Sequence, residues 1–84
     1  MLTILYFAWV REMIGLDEER IERPSPDTTV ADLIDALADR GGGYAEALAD
    51  RARVRVAMDQ TFVSLDMPVG EARELAIFPP VTGG

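Results

Sequence analysis

Cysteine, histidine and lysine are all missing from this 84-residue chain. The absence of cysteine excludes disulfides, thiolate metal sites, iron–sulfur clusters and a thiol nucleophile. The absence of histidine removes the commonest general base and metal ligand, and the absence of lysine excludes Schiff-base chemistry and the lysine of a P-loop. The chain is therefore poorly equipped to catalyse a reaction alone, and we predict that it binds neither a metal nor a cofactor.

An excess of positive charge is missing as well. The chain has 15 acidic residues and 8 arginines, a net charge of −7 and a sequence pI near 4.3. Because a nucleic-acid-binding surface needs a basic footprint, this composition argues against DNA or RNA as a partner. The adjacent Glu18 and Glu19 would point to opposite faces of a strand, so we expect them to be solvated rather than to form a general acid–base pair.

Long hydrophobic runs are absent too. The most apolar stretch, Met1–Val10, is much shorter than the roughly 20 residues that span a bilayer. It has neither a basic leading region nor a small-residue cleavage site, so it is not typical of a signal peptide. We therefore predict a cytoplasmic protein without a membrane partner.

Residue periodicity predicts strands at the start of the chain. Leu2–Ala8 carries large residues on both faces, which is typical of a strand near the middle of a sheet. Asp17–Arg23 is expected to form a short edge strand that ends at the prolines following it. We expect the residues between these strands, Trp9–Gly15, to form a connector, with Gly15 available for a left-handed turn.

The strongest helix signal begins at Thr29. Its hydroxyl and the carboxylate of Asp32 form a capping pattern, and apolar residues then recur on one helical face as far as Ala38. Gly41-Gly42-Gly43 is expected to end this helix rather than to cradle a phosphate, because a P-loop needs a preceding strand and a Gly-Lys-Ser/Thr ending. A second, short helix is expected over Tyr44–Arg51.

The second half of the chain is expected to return to strands. From Arg53 the pattern alternates with a period of two, Asp59-Gln60 is expected to form a tight turn, and Leu75–Phe78 is expected to form the last strand. Together with one main helix, this order indicates a single α+β domain over residues 1–78. Residues 79–84 are expected to form an extended tail, because proline cannot donate to a strand ladder.

The same alternation predicts an exposed aromatic patch. If the main helix covers one face of the sheet, then Phe7, Phe62 and Phe78 share the other face. An apolar patch on an uncovered face is typical of a partner-binding surface, although a short helix or a loop could also cover it. Arg53 and Arg55 border this face, and we expect them to be mainly solvated.

The tail has the most distinctive sequence, Phe78-Pro79-Pro80-Val81-Thr82-Gly83-Gly84. Two prolines stiffen the exit into an extended path, and two glycines allow the terminal carboxylate to enter a slot too narrow for other residues. A thin arm ending in a carboxylate suits an ATP-dependent activating enzyme, which needs a carboxylate oxygen at an α-phosphate to form an acyl-adenylate.

With this order of elements, the sequence resembles the ubiquitin-like sulfur carriers, the β-grasp family that includes the small subunit of molybdopterin synthase. The resemblance covers almost the whole length and is carried by Phe7-Ala8, Val10-Arg11-Glu12, Gly15, Thr29–Leu33, Gln60-Thr61, Val63-Ser64 and Phe78–Gly84. It implies a mixed sheet with one main helix packed on one face and a flexible Gly-Gly tail. The chain departs from the family at Gly70–Glu74, where an Asp-Gly-Asp-Glu-like turn usually precedes the last strand.

The resemblance implies a role in molybdenum cofactor biosynthesis. An E1-like activating enzyme would use Mg-ATP to adenylate the Gly84 carboxylate, and a sulfur-transfer protein would convert it to a thiocarboxylate. The tail would then enter the large subunit of molybdopterin synthase and donate its sulfur to cyclic pyranopterin monophosphate. The chain would be the sulfur-donor subunit, not catalytic without the large subunit, in a heterotetramer of two small and two large subunits.

The resemblance also implies roles for individual residues. Gly84 would carry the sulfur, and Gly83 would meet the steric requirement beside it. The partner-binding residues would be the aromatic patch, an arginine in the first connector and the rest of the tail: Phe7, Arg11, Phe62, Phe78, Pro79, Pro80, Val81 and Thr82.

Three other functions remain open from the sequence. They are a sulfur carrier for another pathway such as thiazole synthesis, a ubiquitin-like protein modifier, and an interaction module whose Gly-Gly end is accidental. The absence of lysine forbids lysine-linked chains on this protein, but it allows attachment of this protein to others.

Overall fold

The computed structural model describes residues 1–80, in which five strands form one mixed sheet and three helices cover one of its faces. The strands are β1 (Leu2–Tyr6), β2 (Glu18–Ile21), β3 (Arg55–Met58), β4 (Thr61–Val63) and β5 (Glu74–Phe78). The helices are α1 (Ala8–Ile14), α2 (Val30–Ala38) and α3 (Gly42–Leu48), followed by a 3₁₀ turn over Arg51–Arg53. No helix within residues 1–80 is long and apolar enough to cross a membrane.

The strand order is β2-β1-β5-β3-β4, with β1 and β5 parallel and every other pair antiparallel. The first strand therefore lies inside the sheet and β2 lies at its edge, as the sequence predicts. The parallel central pair and the helices on a single face confirm the predicted α+β, β-grasp fold.

The core lies between this sheet and the helices. Leu2, Ile4 and Tyr6 of β1 are buried, as are Leu75 and Ile77 of β5, because alternate residues of a strand point to the same face. They form one apolar cluster with the buried residues of the helices, which include Val10, Val30, Leu33, Ile34, Leu37, Ala47 and Leu48. Each fully buried Val, Leu or Ile side chain of this cluster contributes about 1.5–3 kcal/mol to the stability of the fold, relative to its exposed state.

The main helix is α2, and it begins as its capping pattern predicts. The Thr29 hydroxyl accepts a hydrogen bond from the Asp32 backbone N–H at 3.1 Å, which satisfies one of the free donors of the first turn. The Asp32 carboxylate also lies in this turn, where the positive end of the helix dipole favours it.

The prediction of a connector over Trp9–Gly15 was wrong, since most of it is helix α1. Only Val10 of this helix is buried, so seven residues with one core position gave too weak a periodic signal. Gly15 ends the helix with φ of 89°, and its N–H donates to the Arg11 carbonyl at 2.8 Å. The left-handed conformation predicted for Gly15 is therefore confirmed, as a helix C-cap.

The second short helix is confirmed, but it begins earlier than predicted, at Gly42. A Cβ atom added to Gly43 would lie 1.9 Å from the Met13 carbonyl oxygen, so α3 packs directly on the backbone of α1. The triple glycine does not end α2, which ends at Ala38 with Asp39 as its C-cap. Gly41 is instead the N-cap of α3, and Gly43 allows the close contact with α1.

The strand predicted to begin at Arg53 begins at Arg55, because Arg53 lies in the 3₁₀ turn. The predicted turn at Asp59-Gln60 is confirmed, with φ of 48° and 71°. Asp59 Oδ1 accepts hydrogen bonds from the backbone N–H groups of Arg73 and Glu74, both at 3.0 Å. These bonds fix the start of β5, next to the segment Gly70–Glu74 in which the sequence departs from the turn usual in the family it resembles.

Candidate functional site

The tail leaves the fold from the central strand β5. This strand ends at Phe78, and Pro79 and Pro80 follow it half-buried and outside the ladder. Because β1 runs parallel to β5 and β3 runs antiparallel to it, the end of β1 and the start of β3 lie beside this exit. We call this the tail end of the sheet. The predictions for Val81, Thr82, Gly83 and Gly84 concern residues outside those described.

The aromatic patch, defined as Phe7, Phe62 and Phe78, lies on the face that the helices leave uncovered. The Phe62 and Phe78 rings have centroids 5.6 Å apart and planes inclined at 43°. The Phe7 N–H donates to the Ile77 carbonyl at 3.1 Å, which places Phe7 beside the end of β5. Phe62 is 78% exposed and Phe7 is 45% exposed. The structure places Phe62 and Phe78 in contact and Phe7 beside the end of β5, and the role of the three in partner binding stays a prediction.

A shallow depression of about 240 Å³ lies against the two contacting rings. Phe62, Phe78 and Val63 give it apolar walls, and Arg55 lies at its rim. Arg55 Nη1 donates to the backbone carbonyls of Ala52 at 3.2 Å and Val54 at 3.0 Å, so local bonds hold the guanidinium in place. The depression could therefore accept an apolar side chain and place a hydrogen-bond acceptor next to a cation.

Two further arginines were singled out from the sequence. Arg11 is exposed on α1, and within residues 1–80 no carboxylate oxygen lies within 4.0 Å of its guanidinium. Its predicted role in an interface ion pair stays a prediction. Arg53 places its guanidinium carbon 4.9 Å from the centroid of the Trp9 ring, a cation–π geometry that links the 3₁₀ turn to α1.

Comparison with known proteins identifies the relatives of this fold. The ThiS family model matches residues 4–84. The chain is 40% identical over 84 residues to the molybdopterin synthase sulfur carrier subunit of Escherichia coli, with both chains covered completely. The chain belongs to the ThiS family.

Solved structures agree with this assignment. Small archaeal modifier protein 1 of Haloferax volcanii superposes with a TM-score of 0.71 at 28% identity, covering 95% of this chain and 97% of that one. A protein from Pyrococcus furiosus described as putative molybdopterin converting factor subunit 1 gives a TM-score of 0.67 at 27% identity, with the same coverage. The predicted membership of the ubiquitin-like sulfur-carrier family is thus confirmed.

This ThiS-family chain also contains a polar cluster that the sequence did not predict. The Glu19 carboxylate accepts hydrogen bonds from the hydroxyls of Tyr6 at 2.7 Å and Tyr44 at 2.6 Å, and from Arg40 Nη1 at 2.9 Å. The Arg40 guanidinium also donates to the Tyr44 hydroxyl at 3.1 Å and lies over the Tyr44 ring. The cluster ties β1 and β2 to α3 and to the turn after α2, so the expected solvation of Glu19 was wrong.

The bonds of this cluster shift the pKa values of its members. Burial raises the pKa of Tyr6, and the hydrogen bond to Glu19 raises it further. For Glu19, burial acts to raise the pKa, but the hydrogen bonds from Tyr44, Tyr6 and Arg40 outweigh burial and lower it. Glu19 is therefore held ionised as an acceptor, and the cluster lies on the helix side of the sheet, away from the aromatic patch.

Proposed function

We propose that this protein is the sulfur-carrier subunit of a molybdopterin synthase and that Gly84 carries the sulfur as a thiocarboxylate. The family match over residues 4–84, which includes both glycines, carries this proposal. The E. coli relative, which is named for this function, aligns with the whole chain. A chain without cysteine, histidine and lysine agrees with a carrier that leaves acid–base chemistry to its partners.

The proposed cycle uses Mg-ATP on an E1-like activating enzyme, so the carrier needs no cofactor of its own. A Gly84 carboxylate oxygen attacks the α-phosphorus of ATP, and pyrophosphate leaves. The terminal sulfur of a persulfide on a sulfur-transfer protein then attacks the acyl carbon, and AMP leaves. A thiol reductant cleaves the resulting acyl disulfide, which releases the thiocarboxylate and returns the transfer protein's thiol. In the large subunit, the thiocarboxylate gives its sulfur to cyclic pyranopterin monophosphate, and hydrolysis restores the carboxylate. Two such transfers supply the two sulfurs of the dithiolene.

The large subunit is proposed to dock on the aromatic patch while the tail enters its active site. Phe7, Phe62 and Phe78 supply apolar anchors, and Arg11 pairs with a carboxylate of the partner. The large subunit is also proposed to bind the rest of the tail, which carries Gly83 and Gly84 into its active site: Pro79, Pro80, Val81 and Thr82. We place this assembly, with two small and two large subunits, in the cytoplasm.

The decisive experiment is an intact mass measurement of the purified chain. The chain is incubated with its activating enzyme, Mg-ATP and a sulfur donor, alongside a known carrier as a positive control. We expect a mass gain equal to the replacement of one oxygen by sulfur, and no gain in a variant that lacks Gly84. An unchanged mass, with the known carrier converted in parallel, would contradict the proposal.

A protein-modifier function is the second candidate, because the similar Haloferax volcanii structure is described as a modifier protein. In that case the activated Gly84 carboxylate would form an isopeptide bond with a lysine of another protein. The same incubation with a lysine-containing acceptor protein distinguishes the two candidates. A covalent adduct that depends on Gly84 would favour the modifier function, whereas a stable thiocarboxylate without adduct would favour the carrier function.

A further inference from the structure

Two arginines lie beside the tail exit. Arg55 pairs with Phe78 in the β3–β5 register, so it lies at the tail end of the sheet. Arg53 is in the 3₁₀ turn that leads into β3, and its guanidinium stacks on Trp9 of α1. Both side chains are exposed, and Arg55 also forms the rim of the depression next to the aromatic patch.

These arginines are not neutralised by carboxylates of the same chain. Within residues 1–80, neither has a carboxylate oxygen within 4.0 Å, whereas Arg40 pairs with Glu19 and Arg51 pairs with Asp35. Asp66, in the loop after β4, accepts a hydrogen bond from the Ser64 hydroxyl instead. The guanidinium of Arg55 therefore keeps its charge available beside the apolar depression.

The rest of the molecule has the opposite charge. The net charge is −7, and three exposed aspartates lie along α2 and at its C-cap: Asp32, Asp35 and Asp39. A partner with an acidic surface is repelled by these aspartates and attracted to Arg53 and Arg55. That attraction orients the molecule with its tail end toward the partner, and electrostatic orientation of this kind acts mainly on the association rate.

We propose that Arg53 and Arg55 form a basic rim that pairs with carboxylates around the opening of the slot that receives the tail. The proposal rests on the proposed function, because the occupant is the protein that takes up the tail during sulfur transfer. That protein inserts an apolar side chain into the depression against Phe62 and Phe78 and presents an Asp or Glu to Arg55. The apolar contact supplies affinity, and the ion pair supplies orientation and selects among partners.

The test compares Arg55→Glu with Arg20→Glu. Arg20 is exposed on the same sheet face but at the opposite end, where it pairs with Thr3 in β2–β1, and both substitutions change the net charge equally. The probe is the purified molybdopterin synthase large subunit of the same organism. The readout is the association rate from 50 to 300 mM NaCl, over which the Debye length falls by about 2.4-fold. We expect Arg55→Glu to slow association by about tenfold at low salt and Arg20→Glu to change it by less than about twofold.

Arg55→Lys and urea unfolding complete the design. Arg55→Lys keeps the charge, so it should retain most of the association rate, and unchanged unfolding of Arg55→Glu shows that its loss is not a folding defect. Equal rates for Arg55→Glu and Arg20→Glu, with binding by the wild type, would overturn the basic rim alone. A wild-type chain that forms the thiocarboxylate but does not bind the large subunit would overturn both the proposed partner and the rim.

Discussion

The two faces of the sheet differ in which side chains they cover and which they leave exposed to solvent. On the helix-covered face, the Glu19 carboxylate receives three hydrogen bonds, and within residues 1–80 no buried side-chain polar atom lacks a partner. On the uncovered face, the ring of Phe62 contacts that of half-buried Phe78 and yet is 78% exposed. A polar group is covered and satisfied on one face, while an apolar group is left uncovered on the other.

This contrast separates stability from binding. Residues between the sheet and the helices lose their interactions only when the chain unfolds, so substitutions there should change the free energy of unfolding. Phe62, the most exposed ring of the aromatic patch, gains little from folding because it remains in water, and it can bury more apolar area only against another molecule. Substitution of Phe62 should therefore change affinity for a partner and leave the unfolding free energy nearly unchanged.

The largest effect is expected where two helices on the covered face meet. In Gly43→Ala the new Cβ would lie 1.9 Å from the Met13 carbonyl oxygen, so the backbones of α1 and α3 must move apart. We expect a loss of about 3 kcal/mol of unfolding free energy, with a fall of more than about 10 °C in Tm. Urea unfolding followed by circular dichroism measures this loss.

Gly42→Ala is the matched control for this prediction. Gly42 has φ of 54°, and a Cβ there meets nothing within 4 Å, so only the left-handed backbone is strained. The expected cost is about 1–2 kcal/mol. If Gly43→Ala proved no more costly than Gly42→Ala, the close packing of α3 on α1 would be refuted.

The next effect concerns the uncovered face. Phe62→Ser removes the most exposed ring of the patch, and we expect the affinity for the large subunit to fall by roughly 30-fold, or about 2 kcal/mol. The unfolding free energy should change by less than about 0.5 kcal/mol. Calorimetric titration and urea unfolding give the two numbers for the same variant.

Met67→Ser provides the comparison for Phe62→Ser, since Met67 is also an exposed apolar residue but lies beside the start of α2, where its carbonyl accepts a hydrogen bond from the Val30 N–H. This variant should bind the large subunit like the wild type. Equal losses of affinity in both variants would show that general surface apolarity, not the patch, supports binding.

A smaller effect is expected inside the polar cluster. Tyr6→Phe keeps the buried ring but removes the hydroxyl that donates to Glu19. Because a hydrogen bond to a charged acceptor contributes about 1.5–3 kcal/mol, and Glu19 keeps two other donors, we expect a loss near 1.5 kcal/mol. Affinity for the large subunit should be retained once the variant is folded. A loss of affinity in folded Tyr6→Phe would break the separation between the two faces.

The sequence predicted the features that depend on local order. Thr29 and the apolar spacing after it specify α2, and strand alternation was sufficient to place Phe7, Phe62 and Phe78 on one face. The remaining features depend on distant contacts. Glu19 meets Tyr44 and Arg40 only after α3 has packed on the sheet, and Gly43 is constrained only because α1 passes beside it. Helix α1 was missed because tertiary contacts, rather than its own periodicity, support it.

The smallest expected effect is a pH dependence of the unfolding free energy, which arises from the ionised Glu19 carboxylate on the covered face. Hydrogen bonds from Tyr44, Tyr6 and Arg40 outweigh burial and hold the pKa of Glu19 below its ordinary value of 4.5. A carboxyl whose pKa is lowered by folding contributes stability above its unfolded pKa, and that stability is lost as the pH falls through its folded pKa. Unfolding free energy should therefore decline below about pH 4.5 more steeply in the wild type than in Glu19→Gln, measured by urea unfolding between pH 3 and 7.

The aromatic patch provides the control, because none of its three rings has a titratable group. Phe62→Ser should therefore keep the wild-type dependence of unfolding free energy on pH. A Glu19→Gln protein with that same dependence would show that the acid sensitivity arises from other carboxylates.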